Sequence, residues 1–273
     1  MPEPILNPKS RLMLESYLRV PSHALLLTGK VGVGLGTTAK YLARIIAGAD
    51  VVTVTPQIHK NQTTRNINVD DIKLIASLTR TKRAENLAVI IDECERMVAM
   101  APEAFLKQLE EPNSNIHYIL TSHNSHNLPA TILSRVQQIE ILPVKKADCQ
   151  SLLSPVDDSA KRAQIEFIAE GLPAETVRLS TDDDYFQTMS NMFELAKKIM
   201  AASVYERLKI ISGVKDRDSA IKLVETIGRL NTLLSGKQPN FINNLQTISD
   251  VAENLAANGN IKAQLTFLVT NMI

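Results

Sequence analysis

Leu25–Ala43 reads LLLTGKVGVGLGTTAKYLA. An apolar run enters a glycine-rich turn and the turn opens a helix, so the stretch predicts a strand–loop–helix unit. Gly29 and Gly34 stand at the spacing of the phosphate-binding pattern G-x-x-x-x-G-K-[ST]. In that pattern backbone N–H groups and a helix N-terminus surround phosphate oxygens with no β-carbons in the way. Here the pattern departs: Leu35 and Gly36 occupy the places of its lysine and its hydroxyl. The loop is expected to keep its shape and to lack its charge.

The surrounding chain continues the alternation. Pro8–Arg19 predicts an amphipathic helix ended before Pro21, Ala24–Thr28 a buried strand, and Thr37–Ala47 the helix after the glycine turn. Ala49–Thr55 is β-branched and strand-like, 57–68 reads as a loop, and Val69–Arg80 has helical spacing. Leu87–Ile91 (LAVII) is a continuous apolar run ending in Asp92–Glu93, as expected of a buried parallel strand with carboxylates at its C-terminal tip. Pro102–Glu111 and Leu128–Arg135 predict helices, and Ile116–Thr121 and Val136–Leu142 strands. Strands alternating with helices at this spacing imply a three-layer α/β domain. After Pro143 the strand signal stops. Residues 145–181 suggest a small helical module, and Met189–Ala202, Ala220–Leu234, Phe241–Ala257 and Ile261–Met272 a helical bundle.

Composition narrows the function classes. With 273 residues the chain can bury a substantial core, and a formal charge of +1 gives no general reason to expect strong nucleic-acid or membrane affinity. Two cysteines, Cys94 and Cys149, support neither a disulfide framework nor a zinc module, and Cys94 reads as a packed, reduced thiol. No stretch reads as a signal peptide or a bilayer span, so a cytoplasmic location is expected. His117, His123 and His126 lack a metal-ligand pattern, and no metal site is expected. The basic clusters Arg80–Thr81–Lys82–Arg83 and Lys145–Lys146 read as solvated faces.

Longer stretches add a family resemblance. Residues 87–112, LAVIIDECERM and then APEAFLKQLEEP, resemble the second nucleotide motif of AAA+ clamp-loader subunits, whose helix ends in L-E-E-P. Residues 119–135 (ILTSHNSHNLPATILSR) resemble the strand carrying the first sensor residue and the L-P-x-T-I-L-S-R segment after it. Ser22–Thr28 resembles the strand into the phosphate loop, and Ala257–Leu265 the last collar helix. The likeness covers most of residues 8–143 and more weakly the rest, and it runs towards the delta-prime branch of bacterial DNA polymerase III clamp loaders. It implies a P-loop AAA+ domain with a parallel sheet over 1–144, a small helical lid over 145–182, and an all-helical, oligomerising collar over 183–273. The implied partners are gamma/tau-like ATPase subunits and a delta-like clamp-opening subunit in a hetero-pentamer, with the sliding clamp and primed DNA reached through the complex and no membrane. A cysteine zinc module that many relatives carry is absent, because residues 48–70 hold no cysteine.

The resemblance also assigns sites. Gly29, Gly32, Gly34, Leu35, Gly36 and Thr37 form the degenerate phosphate loop, Asp92 and Glu93 the second nucleotide motif, and Ser122, with Thr121 beside it, the first sensor. Ser134 and Arg135 match the clamp-loader motif whose arginine reaches into a neighbour's nucleotide site. A hydrogen bond to a charged group contributes roughly 1.5–3 kcal/mol, so losing the lysine alone lowers nucleotide affinity about 10- to 150-fold. Transition-state stabilisation falls further, because lysine and metal neutralise charge that develops there. Thr37, Thr38 and Lys30 stand nearby but out of register, and no second-sensor arginine stands around Gly171–Leu172–Pro173. The implied subunit is a non-hydrolysing stator that binds no cofactor tightly; ATP and Mg²⁺ lie at the interface with its neighbour, and Arg135 is the finger supplied in trans. Two alternatives stand beside it: an ATP-hydrolysing gamma/tau-like motor with an irregular loop, and a AAA+ scaffold outside replication. For the residues alone, the plainer reading is a glycine turn, a helix-capping Asp92 and a solvated arginine at a helix end.

Overall fold

The computed structural model describes residues 3–59, 64–79, 85–98, 100–233 and 241–272. The basic cluster at residues 80–83 lies outside them. The chain separates into two compact units, Met1–Thr181 and Asp182–Ile273. The first takes in both the stretch expected to form the α/β domain and the stretch expected to form the lid.

Among the described residues five parallel strands run β1 (Ala24–Thr28), β2 (Val51–Val54), β3 (Leu87–Ile91), β4 (Ile116–Ser122) and β5 (Gln137–Glu140), in the spatial order β2-β3-β4-β1-β5. Successive side chains of a strand face opposite ways, so an all-apolar strand buries both faces. Leu25 and Leu27 join Ala88, Ile90 and Ile119 on one side, with α1 (Pro8–Arg19) and α2 (Leu35–Ala47). Leu26, Val89, Ile91, Tyr118 and Leu120 join the other side, with α3 (Val69–Thr79) and α4 (Ala101–Glu110). The two clusters make the three layers that the alternation implied. A short helix α5 (Ala130–Leu133) precedes β5, and the α1 hydroxyl Ser10 bonds the β5 edge by donating to the Glu140 carbonyl and accepting the Leu142 N–H.

Beyond β5 the first unit adds a 3-10 stretch at Lys146–Leu153 and helices α6 (Ser159–Ala169) and α7 (Pro173–Thr181). The Val144 N–H donates to the Gly171 carbonyl at 2.9 Å, which ties the turn before α7 to the chain leaving the sheet. Gly171 has φ +79° there, and a β-carbon would lie 2.1 Å from the Val144 oxygen, so only glycine fits. Both cysteines are free and buried, and burial pushes their thiols up.

Among the described residues the second unit holds five helices: α8 (Asp183–Ala201), α9 (Val204–Ile211), α10 (Arg217–Leu233), α11 (Phe241–Ala256) and α12 (Ile261–Asn271). Helix α8 starts earlier than its apolar spacing indicates, because the Asp182 carboxylate accepts the Tyr185 N–H and two more acidic residues fill the first turn. Helix α9 is too short to carry a period of its own; the Ser203–Glu206 capping box defines its start. Phe193, Ile199, Leu223, Ile227, Val251, Leu255 and Leu265 are buried in this unit. Among the described residues no helix is long and apolar enough to cross a membrane.

Candidate functional site: the glycine loop and the Ser134–Arg135 turn

The glycine loop joins β1 to α2, with Gly34 at the helix N-cap. Its interior is not an open cradle. Leu35 is 2% exposed and packs in the same cluster as Leu25, Leu27, Ile139, Ile141 and Leu172. Its Cδ2 comes within 3.3 Å of the position a Gly29 β-carbon would take, and Val33 Cγ1 within 3.1 Å of it. The residue at the pattern's lysine position is therefore part of the apolar core at the base of the loop. Gly36 faces the second motif, since a β-carbon on it would stand 3.6 Å from Asp92 Oδ1. Thr37 is exposed, whereas Thr38 is buried and donates its hydroxyl to the Gly34 carbonyl of its own helix turn.

The first turn of α7 closes the loop from outside. The Glu175 N–H donates to the Gly32 carbonyl at 3.0 Å. Gly32 has φ +87°, and a β-carbon there would meet Glu175 Cβ at 2.8 Å and its Oε2 at 3.5 Å. Glu175 is 7% exposed, so the group nearest the loop's tip is a buried carboxylate, opposite in sign to what a phosphate requires. Ala174 Cβ lies 3.8 Å from the position of a Gly34 β-carbon. A cavity of about 490 Å³ borders the loop, lined by Pro4, Ile5, Val33, Thr37, Pro173 and Val177 among others, and among the described residues its charged lining is Glu3.

At the second motif, Asp92 Oδ1 accepts the Thr121 hydroxyl at 2.6 Å, and Thr121 Oγ1 accepts the Glu93 N–H at 3.0 Å. Glu93 has φ +48° and its carboxylate pairs with Arg96. Both carboxylates thus have partners within the chain. Ser122, fully buried, accepts the Asn124 N–H on its Oγ and caps the turn after β4. Thr121 rather than Ser122 reaches the Asp92 carboxylate. His123 Nδ1 lies 2.9 Å from the Gly29 carbonyl, and its N–H donates to Glu95 Oε1, which links this turn to the base of the glycine loop. In sequence nothing marked Glu175 as part of this neighbourhood, because it meets the loop only through the fold.

The Ser134–Arg135 turn lies at the end of α5, separate from these groups. Arg135 Nη1 donates to the Thr131 carbonyl at 2.9 Å and to Ser134 Oγ at 3.2 Å, while Nη2 donates to Glu110 Oε1 at 2.9 Å. Ser134 Oγ itself donates to the Thr131 carbonyl. The Arg135 side chain remains 36% exposed.

Comparison with known proteins places this geometry in context. A family profile described as "DNA polymerase III, delta subunit" matches residues 15–145. The chain is 29% identical over 106 residues to DNA polymerase III subunit delta' of Bacillus subtilis, covering 39% of the chain and 32% of that relative. It is 28% identical over 213 residues to subunit delta' of Pseudomonas aeruginosa, covering 67% of the chain and 64% of that relative. Similarity to subunit tau of Salmonella typhimurium is 23% over 227 residues, covering 75% of the chain and 34% of that protein. The chain thus spans less than two thirds of the length of each of these relatives. Among solved structures, a gamma subunit-related protein from Thermotoga maritima superposes with TM-score 0.53 at 20% identity, covering 94% of this chain and 97% of its own. The Holliday junction branch migration motor RuvB of the same organism gives TM-score 0.50 at 18% identity, covering 97% of this chain and 88% of its own. At these identities the two superpositions speak for the fold alone.

Proposed function

We propose that the chain, which is similar to DNA polymerase III delta' subunits, is a AAA+ clamp-loader protein and a non-hydrolysing, stator-type subunit of a bacterial DNA polymerase III clamp loader. In this reading it works in the cytoplasm within a hetero-pentamer, beside gamma/tau-like ATPase subunits and a delta-like clamp-opening subunit, with Asp182–Ile273 as the assembling collar. The complex loads the sliding clamp onto primed DNA, and this subunit contributes an arginine to a neighbour's ATP site.

One observation carries the proposal: the loop's lysine position is a buried leucine, while the Arg135 side chain stays 36% accessible to solvent. An ATPase needs a cation at the β- and γ-phosphates and a hydroxyl on Mg²⁺. Leu35 supplies neither charge nor hydrogen bond, Gly36 supplies no oxygen, and the buried Glu175 beside Gly32 adds a like charge to any incoming phosphate. ATP and Mg²⁺ therefore belong to the neighbour's site, where Arg135 neutralises charge on the transferring phosphoryl group. Among the chain's own residues, Ser134 and Thr131 anchor one end of that guanidinium.

The test is Arg135→Ala in the reconstituted complex. An arginine finger in trans is worth about 10³–10⁵ in rate in well-studied NTPases, so ATP turnover and clamp loading should collapse while the complex still assembles. Unchanged turnover would remove the finger from the account. Mg²⁺-dependent hydrolysis by the isolated chain would instead support the ATP-hydrolysing gamma/tau-like alternative.

A further inference from the structure

We infer that Glu110, the last residue of α4, is a positioning residue for Arg135; the inference rests on the finger reading above. A guanidinium has five N–H donors in a rigid planar fork. Arg135 uses three of them within the chain: two on Nη1, to the Thr131 carbonyl and Ser134 Oγ, and one on Nη2, to Glu110 Oε1. The remaining two, the Nε–H and one Nη2–H, have no partner among the described residues. Two N–H groups are what a bidentate contact with a phosphate requires.

The three anchors divide by origin. Thr131 and Ser134 lie within four residues of Arg135, on the same turn, and constrain only the Nη1 end. Glu110 comes from a different helix, 25 residues away in sequence, and fixes the direction in which the fork points. Without it the guanidinium can rotate about the Nη1 contacts, and the free pair of donors loses its fixed aim. The pair is solvent-accessible, with side-chain accessibilities of 36% for Arg135 and 51% for Glu110, so Glu110 biases the guanidinium's direction with a modest energy. Such a residue touches no nucleotide. It lowers the rotational freedom that the arginine must lose in the transition state.

The experiment is a double-mutant cycle on ATP hydrolysis by the reconstituted complex, with Glu110→Ala, Glu110→Gln, Arg135→Ala and the Glu110→Ala/Arg135→Ala double variant. Glu110→Ala should lower kcat about two- to five-fold, the range that exposed ion pairs support, and leave the KM for ATP unchanged because ATP is held by the neighbour. Glu110→Gln, which keeps an acceptor without the charge, should fall between. In the Arg135→Ala background, Glu110→Ala should have no further effect. An equal loss in both backgrounds, an unchanged kcat, or a raised kcat would overturn the inference; the last would make Glu110 a restraint on the finger. If Arg135→Ala itself leaves turnover intact, the finger reading fails and this one with it, a pattern distinct from a failure of Glu110 alone.

Discussion

The glycine loop and the Ser134–Arg135 turn both belong to the first unit, and both are nucleotide features by resemblance, yet they have opposite physical characters. In the loop, the side chain at the lysine position is 2% exposed and shares a cluster with the sheet. At the turn, the arginine side chain is 36% exposed, and its hydrogen-bond partners are a backbone carbonyl, a hydroxyl and one surface carboxylate. The first region has been absorbed into the core; the second keeps a charge in reach of solvent. A loop without ligand chemistry can gain stability by packing aliphatic carbon, whereas the finger role proposed for Arg135 requires a guanidinium left outside the core.

The comparison makes a division of effects testable. The largest belongs to Arg135→Ala: a loss of neighbour turnover approaching the 10³–10⁵ of a trans finger, with thermal melting of the isolated chain unchanged. A substantial drop in melting temperature would break the comparison, because the turn would then be structural as well. Next comes Leu35→Ala. Truncating a buried leucine costs about 2–5 kcal/mol, read as a lower urea midpoint for the first unit, with no change in the finger's action once the complex has formed. A midpoint within error of the parent would mean that Leu35 is not part of the core.

A sharper version restores the missing chemistry. Leu35→Lys combined with Gly36→Thr supplies the cation and the hydroxyl that the pattern demands. If absent charge were the whole defect, the double variant would bind an ATP analogue. Because α7 stands on Gly32 with a buried carboxylate, the expected calorimetric titration is flat. Binding at micromolar analogue would show that the closure opens readily and that only the charge was lost. Gly32→Ala probes the same closure more gently. Its φ of +87° and the 2.8 Å approach to Glu175 Cβ predict a loss of about 1–3 kcal/mol in the same urea measurement.

What could be read from sequence follows the same division. Strand β3 was plain, since LAVII is a continuous apolar run, and the loop's defect was visible as two residues out of pattern. That the loop is also closed was not. The Gly32–Glu175 contact joins residues 143 positions apart, and nothing in Gly171–Leu172–Pro173–Ala174–Glu175 points to a partner. The arginine that the resemblance implies is absent there, and a glutamate of the same turn stands on the loop instead. Likewise the sheet places Thr121, one residue before Ser122, against Asp92, because alternation along β4 puts the two adjacent hydroxyls on opposite faces of the sheet and only Thr121 shares the face of the Asp92 carboxylate. Spacing locates a motif to within a residue, and the pleat chooses between neighbours.

The smallest expected effect concerns the far end of the same strand. His117 pairs in register with Ala88, at the N-terminal end of β4 and away from the loop. Burial lowers its pKa below 6.5, with nearby His23 acting in the same sense and a hydrogen bond to Ser22 opposing both. A histidine held neutral by the fold binds fewer protons folded than unfolded, so its contribution to stability is present above the unfolded value of 6.5. That contribution is lost as the pH falls from there through the lowered folded value. The urea midpoint of the isolated chain should therefore decline on acidification from pH about 7.5 to about 5, and His117→Gln should flatten the part of the decline that lies below 6.5. Effects on the sheet should carry Leu35 and the closed loop with them, because all of these belong to one unit. If acidification lowers the midpoint equally in the His117→Gln variant, the acid sensitivity resides elsewhere, and the loop's burial is then coupled to the sheet by packing alone.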